Sequence, residues 1–392
     1  MDTKSIQRRY DLDWMRVIAF SGVFFYHCAR FFNSSDWTIK NSETSPLIDI
    51  FTSIFDLWGM ALIFAISGAS IFFALHLQRT VRFLFQRALR LLAPLGVGIL
   101  VLAPPQMYLD RLTHGKFTGT FIQFIPHFFQ PANFAWTGVH LWYLEYLFIF
   151  TLVLSPLFIW LKRPSGQNAI RWISRFSKRN GAIFLWAFPT ALVAIAVDPF
   201  EIMRPSLSEA FLRLVMFPLP LIYGYLIFAD DGIQQAIIRV RRVSLVLSLG
   251  LSMVALLIRI AMTEWGWKLS MPAFILVTAL ASLLIWSYVL AAFGYGMRYL
   301  TRSNRLLSYA NEAVLPFYIL HQPVILILGY FIIPLTVPIV GKYLMITPLA
   351  FFITIGLYEF GIRRNNFLRR AFGLKPRSPV TQEVKLATQP SS

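Results

Sequence analysis

Residues 12–27 read Leu-Asp-Trp-Met-Arg-Val-Ile-Ala-Phe-Ser-Gly-Val-Phe-Phe-Tyr-His. After Arg16 the run is apolar for ten residues and then meets an imidazole. A bilayer core about 30 Å thick needs roughly 20 such residues in a helix. The stretch therefore predicts a membrane helix with a charged entrance and a histidine near mid-depth. Ionisable groups at that depth are costly and mark functional sites by default.

The rest of the chain agrees with a membrane protein. Its 392 residues are 57% hydrophobic and 14% charged, against about 45–50% and 25% in soluble domains. That composition excludes disorder except at the ends. The single cysteine, Cys28, excludes an internal disulfide framework. Ten apolar runs predict an all-α integral membrane protein: Trp14–Phe32, Ile50–His76, Leu84–Pro104, Leu141–Leu161, Ala182–Val197, Phe211–Ala229, Val243–Met262, Met271–Phe293, Val314–Ile333 and Val337–Phe360. Pro218 and Pro220 predict a kink in the sixth. Residues 1–369 form the polytopic domain, and residues 370–392, with three prolines, read as a disordered cytoplasmic tail. The first run is too long for the apolar core of a signal peptide, and no small-residue cleavage site follows.

The net charge of +18 suits a nucleic-acid binder, but its placement excludes one. With the N-terminus inside, 27 of the 36 Lys and Arg fall on the inner side and 9 on the outer. The positive-inside rule then puts both termini in the cytoplasm, with the basic excess facing an anionic lipid leaflet.

Arg16 and His27 are eleven residues apart, which is about 20° past three turns and roughly 16 Å of rise. They share a helix face, and Asp13 can pair with Arg16 from one turn away. That face suits a long cytosolic molecule with its anionic end at the mouth and its reactive end at His27. Arg87 and Arg90, spaced i,i+3, can grip phosphate through guanidinium forks. His321 lies between Pro316 and Pro323, where proline frees backbone carbonyls that His321 or Gln322 can satisfy. His140 and Trp142 open the fourth span, with Glu145 deeper, and Ser67-Gly68 suits close helix packing. Glu359 is placed to pair with Arg363. No zinc motif, Walker loop, nucleophile elbow or paired cysteine is present, so a metal is not expected. General-base chemistry is the simplest role for His27.

These residues carry a family resemblance. Arg16 through His27 resembles the Arg-x10-His signature of the membrane acyltransferase-3 superfamily. Phe64-Ala65-Ile66-Ser67-Gly68 resembles its Phe-Phe-x-x-Ser-Gly stretch, with Ala65 in place of the second Phe. Arg87-Ala88-Leu89-Arg90 resembles its Arg-x-x-Arg segment. His140-Leu141-Trp142 and the segment Pro316-Phe317-Tyr318-Ile319-Leu320-His321-Gln322-Pro323 also match in kind. Within the family the pattern is most similar to the glucan biosynthesis protein C branch, implicated in adding succinyl groups to periplasmic glucans. The resemblance implies a membrane-bound O-acyltransferase of the bacterial inner membrane. Its donor is acyl-CoA (acetyl-CoA or succinyl-CoA), with no permanently bound cofactor, and its acceptor is an extracytoplasmic glycan or glucan. His27 and Arg16 are the implied catalytic pair. Arg87 and Arg90 would hold the donor, and Asp13, His140, Trp142, Glu145, Tyr318 and His321 would contact substrate. The competing class is a polysaccharide or lipid flippase, but the paired broken helices usual in transporters are missing.

The charge count predicts that Lys162–Gly181 faces the cytoplasm. A cysteine placed at Ser165 is expected to resist an impermeant thiol reagent applied from the outer side, and labelling there overturns the orientation.

Overall fold

The computed structural model describes residues 8–136, 138–203, 211 and 213–377, and among these every regular element is helical. Helix α1 is Tyr10–Ala29, ended by a 3-10 turn over Arg30–Phe32. It starts four residues before the expected span because Asp11 and Asp13 suit the positive end of a helix dipole. Helix α2 is Pro46–Leu77, with Pro46 at its start, where no N–H is needed.

Helix α3 (Thr80–Val97) was expected to end at Pro104 with its span. It continues instead through a π-helical segment, Gly98–Leu102, into α4, Ala103–Thr113. Pro104 and Pro105 have no N–H to give to the preceding turn, and the wider π turn absorbs the deficit. Helix α5 (Phe121–Phe128) opens with a Thr120–Gln123 capping box and packs its phenylalanines against Ala103 and Tyr108. Phe117, Phe124, Phe128 and Phe134 are therefore folded onto α4. Helices α6 (Trp142–Val153) and α7 (Ser155–Leu161) are one expected span bent by 53°. The bend falls where Pro156 leaves a carbonyl without its helical donor.

Helix α8 (Pro164–Ser177) occupies the basic connection, followed by α9 (Ala187–Met203) and α10 (Pro218–Ala229), which begins at the expected kink. Helix α11 (Asp231–Glu264) runs well beyond its apolar run. Arg239, Arg241 and Arg242, which precede the apolar run Val243–Met262, are helical because the Asp230 side chain caps Gly232 N–H at 2.7 Å and starts the helix early. Then follow α12 (Met271–Tyr299), α13 (Arg305–Ile332), α14 (Ile339–Gly356) and α15 (Asn366–Ala371). A second π segment, Leu357–Gly361, follows α14. Residues 370–377 of the expected tail include the end of α15, and residues 378–392 lie outside the described residues.

Among the described residues helix is present in each of the ten expected runs, with the fourth broken in two. Among these residues six helices, not ten, are long and apolar enough to cross a membrane: Pro46–Leu77, Thr80–Thr113, Asp231–Glu264, Met271–Tyr299, Arg305–Ile332 and Ile339–Arg364. The bent α6–α7 pair makes a seventh.

The chain divides into two compact units. The first holds Met1–Tyr26, Ser45–Phe83 and Ile149–Asn311. In it, α2 and α10 approach to backbone contact, as Ser67-Gly68 predicts. A Cβ added at Gly68 meets Leu221 O at 1.9 Å, and one at Gly224 meets Ala65 O at 1.8 Å. Helix α11 buries Ser244, Ser248 and Ser252 at a four-residue spacing and exposes Val246, Leu249, Met253 and Leu257. Small polar residues inside and large apolar ones outside are the pattern of a helix in lipid. The second unit holds His27–Thr44, Leu84–Phe148 and Glu312–Ser392, and the candidate site is built in it.

Gly224→Ala is expected to lower stability by about 3 kcal/mol, the top of the overpacking range, because backbone cannot yield to the added carbon. Gly250→Ala, whose Cβ meets nothing within 4 Å, is expected to be neutral or stabilising by about 0.5–1 kcal/mol. Thermal unfolding of the detergent-solubilised protein checks both.

Candidate active site

Three histidines come together in the second unit. His27 ends α1, His321 lies in the middle of α13, and His140 enters α6 from a short 3-10 turn, Val139–Leu141. The ring centroids are 5.0 Å apart for His27 and His321, and 5.4 Å for His140 and His321. Tyr318 and Phe317 lie against His321, at 5.7 and 6.4 Å. Trp37 stacks on His27 at 6.2 Å.

The hydrogen bonds assign the protons. Pro323 has no N–H, so the carbonyl four residues earlier, on Ile319, lacks its helical donor. The sequence suggests His321 or Gln322 for that task. The structure gives it to His140, whose Nε2–H donates to Ile319 O at 3.1 Å. Tyr318 completes the link, its hydroxyl donating to His140 O at 2.6 Å. His321 instead donates Nδ1–H to Tyr318 O at 2.5 Å. A carbonyl only accepts, so Nδ1 must carry the proton, and the Nε2 of a neutral His321 is an acceptor. That Nε2 is 3.0 Å from His27 Nδ1. His27 therefore donates from Nδ1, and its lone pair lies on Nε2. The carbonyl of Tyr318 sets both tautomers.

The same reasoning puts the lone pair of His140 on Nδ1. That atom is buried and has no hydrogen-bond partner among the described residues, and neither has Oε2 of the half-buried Glu145. The backbone into His140 is unusual. Gly138 and Val139 both have left-handed φ, +65° and +61°. Gly138 adopts this freely, whereas a β-branched residue there is an outlier of the kind stored at functional sites.

Trp142 is partly exposed, edge-on to Tyr146 at 5.9 Å. Arg87 is partly buried and Arg90 exposed, both on α3. Glu359 pairs with Arg363 at 2.7 Å, as expected. Among the described residues no group of three His, Cys, Asp or Glu side chains is arranged to hold a metal ion.

In the first unit, Arg16 donates to Asn311 Oδ1 at 3.0 Å and Ser70 Oγ at 2.7 Å, and lies 3.6 Å from Asp13. Asp13 is also paired with Arg8 at 2.9 Å. The Asp13–Arg16 pairing is thus present, with Asn311 and Ser70 added. Sequence reasoning missed Ser70, Asn311 and Trp37. A polar residue one turn beyond Ser67, and an Asn near the start of an apolar helix, were available signals for the first two. Trp37 in a loop carried none.

The chain belongs to the acyltransferase-3 family, whose model, described as an acyltransferase domain, matches residues 9–359. It is an acyltransferase by family, with multiple membrane-length apolar helices. Its curated relatives include the glucans biosynthesis protein C of Escherichia coli K12 and of Escherichia coli O81. Each is 24% identical over 348 residues, covering 85% of this chain and 86% of the relative. No solved structure matches the chain.

Tyr318→Phe removes the donor to His140 O and leaves a buried carbonyl short of a partner. It is expected to cost about 1–3 kcal/mol of stability, read as a lowered Tm.

Proposed function

We propose that this protein transfers an acetyl or succinyl group from cytoplasmic acyl-CoA, across the bacterial inner membrane, to a hydroxyl of an extracytoplasmic glycan or glucan. The ten apolar runs and the charge asymmetry of the segments between them support a ten-span topology with both termini inside, and the names of the relatives support the glycan. The observation that carries the proposal is the tautomer chain from Tyr318 O through His321 to His27, which puts the His27 proton on Nδ1 and its lone pair on Nε2.

The acceptor hydroxyl oxygen attacks the thioester carbonyl carbon while its proton passes to His27 Nε2. The resulting imidazolium keeps its Nδ1–H on His321 Nε2, an acceptor already in place as the charge develops. The carbon–sulfur bond breaks, an ester forms, and the imidazolium returns its proton to the departing thiolate of CoA. The lone pair of His140 Nδ1, buried and unsatisfied, is a ready acceptor for a substrate hydroxyl. Arg16, also on α1, orients the donor, and Arg87 and Arg90 hold its phosphates. His321 is a positioning residue for His27, a larger role than satisfying a proline-broken helix.

The test is transfer by the purified protein in nanodiscs, read as thiol release and as mass added to a gluco-oligosaccharide. His27→Asn is expected to lose about 10²–10⁴ in rate while still binding acyl-CoA. His321→Ala should lose less, about 10²-fold, through misplacement of His27. His321→Gln, whose amide oxygen still accepts from His27, should recover part of that loss. Arg87→Ala and Arg90→Ala should each weaken acyl-CoA binding by about 1.5–3 kcal/mol, with Lys restoring only part because it lacks the fork. Near-parental turnover by His27→Asn sinks the general-base mechanism.

A further inference from the structure

The second unit contains a cavity of about 950 Å³ away from the three histidines, lined by residues 38–43, by Thr113 and His114 after α4, and by the end of α13 with the turn into α14. The volume lies in the ordinary range for small-molecule sites. At its wall sits Lys342, only 6% exposed. Its ammonium donates to Asn41 Oδ1 at 2.7 Å and to Ile333 O at 2.6 Å. An ammonium has three N–H groups, so one donor remains for a ligand. Both partners are neutral acceptors, which makes this a buried cation held by dipoles, an arrangement that demands a reason.

We propose that this cavity binds the acceptor as a polyhydroxylated carbohydrate, beside the 33–44 loop whose Trp37 lies against His27; the inference rests on the acyltransferase reading above. Three observations carry it. The lining mixes donors and acceptors, Lys342, Asn41, Thr38 and Glu43, with the half-exposed ring of Tyr330. Sugar hydroxyls both donate and accept, and sugar C–H faces pack on aromatic rings. Ile333, Leu335 and Val337 add apolar wall beside these polar groups, which suits the C–H faces of a sugar.

The same loop forms the cavity wall and covers His27. Asn41 N–H donates to Phe31 O at 2.9 Å and Lys40 Nζ donates to Arg30 O at 2.9 Å, both in the turn directly after α1. Trp37 in the same loop stacks on the imidazole of His27. Thr113 fastens the far side of the loop by donating to Thr38 O at 2.6 Å.

The cavity also lies at the opposite end of a membrane-length helix from the arginine pair. Thr80–Thr113 is one of the helices able to cross the membrane. From Arg90 to Thr113 its rise is about 34 Å, slightly more than a hydrocarbon core of about 30 Å. A donor gripped by Arg87 and Arg90 and an acceptor in the cavity therefore approach from opposite faces.

The test is photolabelling of the full-length protein in nanodiscs with a diazirine-bearing gluco-oligosaccharide, mapped by peptide mass spectrometry. Label is expected on peptides containing residues 38–43 and 330–342, and excess unmodified oligosaccharide should remove it. Tyr330→Ala and Lys342→Met should each weaken oligosaccharide binding by about tenfold or more, leaving acyl-CoA binding unchanged. Tyr330 is partly exposed, so its variant reports even where loss of Lys342 disturbs folding. Competed label on other segments, or no competed label, overturns the cavity assignment. Acyl transfer by the parent with label elsewhere removes the cavity alone. Competed label here without transfer keeps carbohydrate binding and removes the acyltransferase reading.

Discussion

Pro323 cannot donate a backbone hydrogen bond, and the second unit is arranged around that deficit. In hydrocarbon no water is at hand to satisfy the Ile319 carbonyl, so the protein must supply a donor. His140 does so, which ties the entry of α6 to the middle of α13. Tyr318 closes the reciprocal bond to the His140 carbonyl. With Tyr318 held, its own carbonyl is available to His321, and His321 in turn fixes the tautomer of His27. A missing N–H on one helix thus reaches, through three carbonyls and three imidazoles, the proton position of the candidate base.

The first unit solves a different problem. Helices in lipid gain little from burying apolar side chains against one another, because the lipid is as apolar as they are. Close contact must come from small residues, and α2 and α10 meet through Gly68 and Gly224 against each other's backbone carbonyls. Arg16 shows the polar counterpart. A guanidinium on an apolar helix is held by Asn311, Ser70 and Asp13. Its planar fork is engaged on two sides, so its orientation is set before any ligand arrives.

The loop that carries Trp37 links the turn after α1 to α4. It is anchored to the turn after α1 by Lys40 and Asn41, and to α4 by Thr113, while its Trp37 lies on the imidazole. A segment fixed at both ends thus holds an aromatic ring against the half-buried imidazole of His27.

The sequence by itself determined the class of protein and the helices. Apolar runs of membrane length and the charge asymmetry of the loops depend only on local composition and on the thickness of a bilayer. The family signatures and His27 were legible for the same reason, since an imidazole in an apolar run stands out without knowledge of its neighbours. Ser67-Gly68 and the Glu359–Arg363 pair were legible because both follow from helical spacing. The tertiary structure decided which donor meets the carbonyl freed by Pro323, because His140 is 179 residues away from Ile319 and no local pattern links them. It decided that His321 addresses His27, 294 residues away, and so decided which nitrogen of His27 is basic. It also decided how far the third span runs, since a π turn absorbs the prolines that local rules read as a stop. Hydrophobicity and charge act through position along the chain, whereas a hydrogen bond between distant segments exists only once folding has brought donor and acceptor within 3 Å or so of each other.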